Sequence, residues 1–154
     1  MQNVSSCAFL SAKQLTGSFK DYLGSWLVLY FYPKDSTPGC TQEGRDFRDN
    51  HAQFASLNTT IFGISRDSIK SHQNFLQKEE FNFDLISDAE EHLCNFFQVI
   101  KEKNMYGKKV MGIERSTFII NPKGEIAHEW RNVKVPGHVL AVLQQLQLLQ
   151  RDYQ

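Results

Sequence analysis

The apolar positions of the chain follow two rhythms, one continuous and one helical. The strongest signal is the run WLVLYFY at 26–32. It is too short for a lone buried helix and rich in strand formers, so it predicts a strand. Pro33 ends the run because it has no N–H to give a sheet ladder. Pro38-Gly39 turns the chain again, leaving 33–39 as a loop. From 40 to about 57, Cys40, Gly44, Phe47, His51 and Phe54 recur at helical spacing and predict one packed face. Gln42, Glu43, Arg45, Asp46, Asp49 and Gln53 then fall on the solvent side.

TTIFGIS at 59–65 predicts a second buried strand. Asp67 or Ser68 suits the N-cap of a helix through 80, with Ile69, Phe75 and Leu76 turned inward. A short strand follows at 83–86. Ser87-Asp88 then opens a helix to about 97 that packs through Leu93, Phe96 and Phe97. KEKNMYGKKVMG at 101–112 is polar, basic and glycine-containing, and reads as a loop. Strands at 114–120 and 125–131 meet at the turn signal Asn121 to Gly124. Pro136-Gly137 leads to a last helix whose stripe is Val139, Val142, Leu143, Leu146 and Leu149. Ahead of all this, 3–10 is a weak strand or arm, and Phe19, Tyr22 and Leu23 suggest a short helical turn before Gly24. Alternating strands and helices imply parallel pairing, and the late hairpin adds antiparallel strands. The expected fold is α/β, a central mixed sheet flanked by helices, in a single domain over 1–154.

Composition changes this picture little. The 154 residues are 41% hydrophobic and 22% charged, within the range of a globular domain able to bury a core. Lysine plus arginine balances aspartate plus glutamate at 17 each, so no global field recruits nucleic acid or a membrane surface. No signal-like segment or membrane-length apolar run is present, which points to the cytoplasm. Three widely spaced cysteines, Cys7, Cys40 and Cys94, are no disulfide framework. Without Cys-x-x-Cys, and with five scattered histidines, no metal site is expected. No nucleotide motif appears, so no cofactor is expected either. His128, Trp130 and His138 read as structural.

Candidate chemistry centres on Cys40. It stands at a loop-to-helix junction, where the helix dipole and unpaired N–H groups favour an anion. A lone cysteine is most often a small buried hydrophobe, but one in this context is a candidate nucleophile.

At this point a family resemblance becomes specific. Pro33-x-x-x-Thr37-x-x-Cys40 resembles the active-site signature of peroxiredoxins, and YFYPKDSTPGCTQE resembles their bacterioferritin comigratory protein (PrxQ) subfamily. The similarity continues through ISRDSIKSHQNF at 64–75, LISD at 85–88, KEKNMYGKKVMGIERSTFIINPKG at 101–124 and WRNVKVPGHV at 130–139. It spans about residues 19–150. The resemblance implies a thioredoxin-like fold and thiol-dependent reduction of hydrogen peroxide and organic hydroperoxides. It implies that Cys40 is the peroxidatic cysteine, that the Thr37 hydroxyl binds thiolate and peroxide, that Pro33 shields the sulfur and that Arg115 is the active-site arginine. Arg115 stays charged and can stabilise a thiolate, and Thr37 can donate to one peroxide oxygen while accepting from another group. Glu43 either joins a hydrogen-bond network with Arg115 or stays a solvated helix residue. A free thiol is already a few per cent ionised at neutral pH, so full ionisation raises the reactive fraction only about 30-fold. Each further tenfold needs about 1.4 kcal/mol of transition-state stabilisation, which must come from preorganised donors.

The chain departs from its relatives in the second half of the cycle. Attack on peroxide leaves a sulfenic acid that a thiol must resolve. Many relatives carry a second cysteine five residues after the first, where this chain has Arg45, preceded by Gly44. Another position used in some relatives corresponds to about Leu76. Cys94 is therefore either core filler or a resolving thiol, and Cys7, on the N-terminal arm, is the other candidate. A Cys40–Cys94 bridge would need local unfolding. The plainest expectation is a one-cysteine enzyme, monomeric or weakly dimeric, recycled by thioredoxin, glutaredoxin or a small thiol. A disulfide oxidoreductase of the thioredoxin type would need a thiol where Thr37 stands, and a Cys-His hydrolase would need a base beside Cys40. The alternative from another class is a peroxide-sensing or redox binding module that uses the same thiol without catalysis.

Overall fold

Strand β3 (Trp26–Phe31) is buried at every residue and forms the centre of the structure. The computed structural model describes residues 3–153; residues 1, 2 and 154 of the expected domain lie outside the described residues. Because successive side chains of a strand point to opposite faces, β3 feeds two cores at once. Trp26, Val28 and Tyr30, with Tyr32 beyond, enter one, and Leu27, Leu29 and Phe31 enter the other.

β4 (Thr59–Ser65) runs parallel to β3, with Trp26 opposite Thr59 and Phe31 opposite Ile64. β5 (Asp84–Ser87) continues the parallel set beside β4. On the other side of β3 lie the antiparallel β8 (Ser116–Ile120) and β9 (Ile126–Trp130). The N-terminal arm is a hairpin, β1 (Ala8–Ser11) and β2 (Leu15–Ser18), laid antiparallel on β5. The seven strands run β2-β1-β5-β4-β3-β8-β9, the mixed sheet that the alternating pattern predicts. One face is covered by α1 (Pro38–Asp49), α2 (His51–Ser56), α3 (Ile69–Lys78) and α5 (His138–Asp152). The other is covered by α4 (His92–Phe96) and the single turns Val4–Ser6 and Phe19–Tyr22.

Four local expectations need correction. The helix begins at Pro38 rather than Cys40, and it breaks at Asn50, whose side-chain amide donates to the Asp46 carbonyl at 2.8 Å. The stretch read as a loop is a separate two-stranded sheet, β6 (Ile100–Met105) and β7 (Lys108–Ile113). It closes on Tyr106 and Gly107, both at positive φ (53° and 79°), as a two-residue hairpin turn requires. The helix expected from 87 is shortened because Asp88 folds back, its carboxylate accepting the N–H groups of Leu93 and Cys94. Arg115 lies just ahead of β8, outside the ladder, rather than within a strand.

On α3, Phe75 is buried, Ile69 and Leu76 are half-buried, and the most enclosed side chain is His72. His138 at the start of α5 is buried against Trp130 and pairs with the Thr117 hydroxyl at 2.8 Å. Burial, and then the Arg115 charge, hold it down to about 4, so it packs as a neutral ring.

Gly44 lets α1 come close to Phe81. A Cβ there would overlap the Phe81 ring, itself packed on Phe75 and Phe83 at centroid distances of 4.9 and 5.0 Å. Gly44→Ala should therefore lower stability by about 1–3 kcal/mol, despite alanine's advantage of up to about 1 kcal/mol in a helix. Urea unfolding of the two proteins checks the sign.

Candidate active site

The site forms where β3 ends and α1 begins. After Phe31 the chain passes through Tyr32 and Pro33 into a loop that turns at Ser36, held at φ 64°. Thr37 is the N-cap of α1 and Pro38 its first residue, which is favourable because proline has no N–H to leave unpaired. Thr41 N–H makes the first helical bond, to Thr37 O at 2.9 Å. The N–H groups of Gly39 and Cys40 are thus among the helix's unpaired donors, and Cys40 sits in the first turn. Its side chain is only 2% exposed, and Pro33 is half-buried nearby in sequence.

The Thr37 hydroxyl does not cap the helix. It donates to the Lys34 carbonyl at 2.8 Å, and since a hydroxyl has one hydrogen, it offers a ligand its lone pairs. In this arrangement the hydrogen expected to reach a peroxide oxygen is engaged with the Lys34 carbonyl.

Arg115 reaches this loop from the adjacent strand end, since Ser116 at the start of β8 pairs with Phe31 at the end of β3. Nη2 stands 3.5 Å from Cys40 Sγ, and Nη1 donates to Glu43 Oε1 at 2.6 Å. Glu43 follows Cys40 by three residues and so shares its side of the helix. The glutamate is wholly buried, which rules out the solvated alternative and leaves the network with Arg115. Burial pushes its carboxyl up to about 7 against the opposing pull of Arg115. On Arg115 burial works against the charge, but Glu43 and Cys40 outweigh it and hold the guanidinium more firmly protonated. Gly39 makes the approach possible, since a Cβ there would lie 3.2 Å from Nη2. Below lies the Tyr30 hydroxyl, which burial, then Glu43 and Cys40, keep protonated. Tyr30 Oη and Glu43 Oε2 are both buried with no hydrogen-bond partner among the described residues.

The loop is braced from the side by residues to which the sequence pattern gives no role in the site. Asp35 accepts from the Tyr32 hydroxyl at 2.6 Å and the Ser71 hydroxyl at 2.8 Å, and it contacts His72 Nδ1 at 2.7 Å. His72 Nε2 lies 2.8 Å from the Ile86 carbonyl, and Asp67 accepts the Asp35 N–H at 3.0 Å. Asp35, Asp67 and His72 form a cluster of metal-ligand type. Their ligand atoms are already engaged with one another and with neighbouring donors, so the cluster reads as a brace. It could have been sought as a helical histidine buried where an apolar residue is expected.

The remaining cysteines are not brought to Cys40. Cys94 and Cys7 belong to the core on the opposite face of the sheet, and all three thiols are free. Burial and the neighbouring Asp88 push the Cys94 thiol up far beyond its ordinary range. Burial, with a smaller part from Asp88, also raises Cys7. At the position of the local second thiol, Arg45 donates to the Glu79 carboxylate at 2.6 Å.

A sulfur held in a helix's first turn against a guanidinium, with free N–H groups around it, is arranged for nucleophilic attack on a small polar substrate. Comparison with known proteins agrees. Residues 7–129 match the AhpC/TSA family model. The chain is 57% identical over 126 residues to Peroxiredoxin Bcp of Xanthomonas campestris, covering 82% of this chain and 79% of the relative. It is 50% identical over 131 residues to Peroxiredoxin Bcp of Bacillus subtilis, covering 85% and 83%. Among solved structures it resembles the X. campestris bacterioferritin comigratory protein, described for its alkyl peroxide reduction activity. The TM-score is 0.90 at 50% identity, covering 94% of this chain and 92% of that one. The chain therefore belongs to the AhpC/TSA family as a peroxiredoxin of the bacterioferritin comigratory type, a thiol-dependent peroxidase with a thioredoxin-like fold.

Proposed function

We propose that Cys40 reduces hydrogen peroxide and organic hydroperoxides and is recycled by a thiol from outside the chain. The observation that carries this reading is the guanidinium of Arg115, spanning from buried Glu43 to the Cys40 sulfur. The thiolate attacks the hydroxyl oxygen of ROOH, the S–O bond forms as the O–O bond breaks, and RO⁻ takes a proton to leave as ROH. Arg115 and the N–H groups of Gly39 and Cys40 oppose the charge on the breaking bond. The Thr37 hydroxyl, donating to Lys34, accepts from the hydroperoxide O–H. Pro33 shields the sulfur from bulk water. The alkyl peroxide reduction ascribed to the Xanthomonas relative supports including organic hydroperoxides.

The sulfenic acid is then met by an external thiol, which forms a mixed disulfide and releases water. A second thiol attacks that disulfide and restores Cys40. Thioredoxin, glutaredoxin or a small thiol would each supply these two equivalents. The position of Cys7 and Cys94 in the opposite core favours this one-cysteine cycle.

Cys40→Ser should lower peroxide consumption in stopped flow by on the order of 10³ or more, as nucleophile removal does. Arg115→Lys, which loses the planar fork, should cost roughly 10²-fold. Wild-type oxidation no faster than that of a free thiol would sink the enzymatic reading. After one equivalent of peroxide, intact mass should show one added oxygen on Cys40. Loss of two hydrogens, abolished by Cys94→Ala but not by Cys7→Ala, would instead assign resolution to Cys94.

Glu43 gives stability a pH dependence of definite sign. A carboxyl raised to about 7 in the fold favours its neutral form there. Its stabilising contribution is complete below the ordinary glutamate value and is lost as pH rises through about 7. Between about pH 5 and pH 8 the unfolding free energy should fall by up to roughly 3 kcal/mol from this group. In Glu43→Gln that fall should disappear, as read by urea titrations at the two pH values.

A further inference from the structure

The turn that carries Thr37 is shaped around one buried residue. Ser36 holds φ 64°, a left-handed conformation that is unfavourable for serine and persists only where the surroundings impose it. Its neighbour Asp35 is 6% exposed, although Lys34 and Ser36 on either side face solvent. The Asp35 N–H donates to Asp67 Oδ2 at 3.0 Å, and Oδ1 accepts from the Tyr32 hydroxyl at 2.6 Å. Oδ2 accepts from the Ser71 hydroxyl at 2.8 Å and lies 2.7 Å from His72 Nδ1. The other ring nitrogen, Nε2, faces the Ile86 carbonyl at 2.8 Å. A carbonyl only accepts, so Nε2 carries a hydrogen, and Nδ1 and Asp35 Oδ2 share one more between them. Lys34 and Thr37 flank this anchored pair of residues, and the Thr37 hydroxyl closes the turn on the Lys34 carbonyl at 2.8 Å. That closure commits the Thr37 hydrogen and leaves its lone pairs for a ligand.

We propose that Asp35 and His72 are positioning residues of the peroxidase reaction, which hold the 34–37 turn in the shape that presents Thr37 to the hydroperoxide as an acceptor. This rests on the reading of Cys40 as nucleophile and Thr37 as acceptor. A buried carboxylate is expensive to desolvate, so the cluster is a poor source of stability. What several directed bonds onto one residue supply is a single geometry. Asp35 receives them from the end of β3 through Tyr32, from the segment after β4 through Asp67, and from α3 through Ser71 and His72. The turn is thereby tied to three separate parts of the fold, and the strained Ser36 has no room to relax. Asp35 and His72 act on the substrate only through that turn.

Amide substitutions at His72 separate its two bonds. Counted in bonds from Cβ, an asparagine nitrogen replaces Nδ1 and a glutamine nitrogen replaces Nε2. His72→Gln therefore keeps the Ile86 bond and releases Asp35, and His72→Asn does the reverse. Stopped-flow oxidation of Cys40 by hydrogen peroxide should slow about tenfold in His72→Gln, as misplacement of a binding group does. Alkylation of the same thiol by iodoacetamide, which makes no use of Thr37, should be unchanged. His72→Asn should recover most of the peroxide rate. In Thr37→Val, which already lacks the acceptor, His72→Gln should cause no further loss. Thermal unfolding run in parallel identifies a His72 variant that fails to fold. Tyr32→Phe, which takes one donor from Asp35 and leaves the ring in place, then carries the comparison, with a smaller loss of the same kind. A folded His72→Gln or, in its place, Tyr32→Phe protein that meets peroxide at the wild-type rate would overturn the proposal. So would a peroxide loss matched by an equal loss of alkylation, or one undiminished in Thr37→Val. Wild-type oxidation no faster than that of a free thiol, or a Thr37→Val protein as fast as wild type, would instead defeat the reading beneath it.

Discussion

The catalytic end of the sheet depends on one buried contact, the guanidinium of Arg115 held between Glu43 and the Cys40 sulfur. A buried ion pair is poor value for stability, because the desolvation of both charges rivals their attraction. Its worth here is geometric. Glu43 occupies one nitrogen of a rigid planar fork and thereby aims another at sulfur. The surrounding features serve that placement. Gly39 removes a Cβ from the guanidinium's path, Arg115 stands just ahead of the β8 ladder beside the end of β3, and Cys40 and Glu43 share one side of α1.

The elements that could be read from the chain are those whose burial is continuous or strictly periodic. β3, β4 and α5 each present an apolar pattern to a single well-defined environment, and all appear where expected. Elements defined by polar or distant contacts could not be read in that way. Helical spacing puts Glu43 on the solvent side, where a charge in an amphipathic helix ordinarily lies, and only the family resemblance raises the network with Arg115, 72 residues away, that the structure contains. The hairpin at 100–113 is exposed over most of both faces, so it has no apolar alternation to reveal it. The Asp35–His72 brace depends on side chains brought together from the loop after β3 and from α3. Of the site itself, the helix-start cysteine was legible from local chemistry alone, whereas Thr37, Pro33 and Arg115 were named only through the family motif.

The sheet separates the three thiols as well as the two cores. Cys40 belongs with α1 and α5, while Cys94 on α4 and Cys7 just ahead of β1 belong to the opposite core. A disulfide tolerates α-carbon separations only up to about 7 Å without backbone movement, so a bridge from one core to the other would require the backbone to move. The two remote thiols are also poor nucleophiles where they stand, since burial and Asp88 oppose their ionisation and the thiolate is the attacking species.

This bears on how α1 and α3 are joined. At the place where many relatives carry a second thiol, Arg45 reaches Glu79 just past the end of α3, and Arg48 donates to the Glu79 carbonyl at 2.8 Å. Glu79 is 7% exposed and Arg45 47%, so one end of the pair is anchored in the protein and the other is solvated. A pair solvated at one end contributes little to stability. Two bonds converging on one residue nevertheless fix the spacing of the two helices. A resolving cysteine on either helix would require that spacing to change with each turnover. Under the proposed cycle, in which external thiols complete the turnover, α1 and α3 would stay clipped together, and the Asp35–His72 brace between α3 and the catalytic loop would remain intact through the oxidised state.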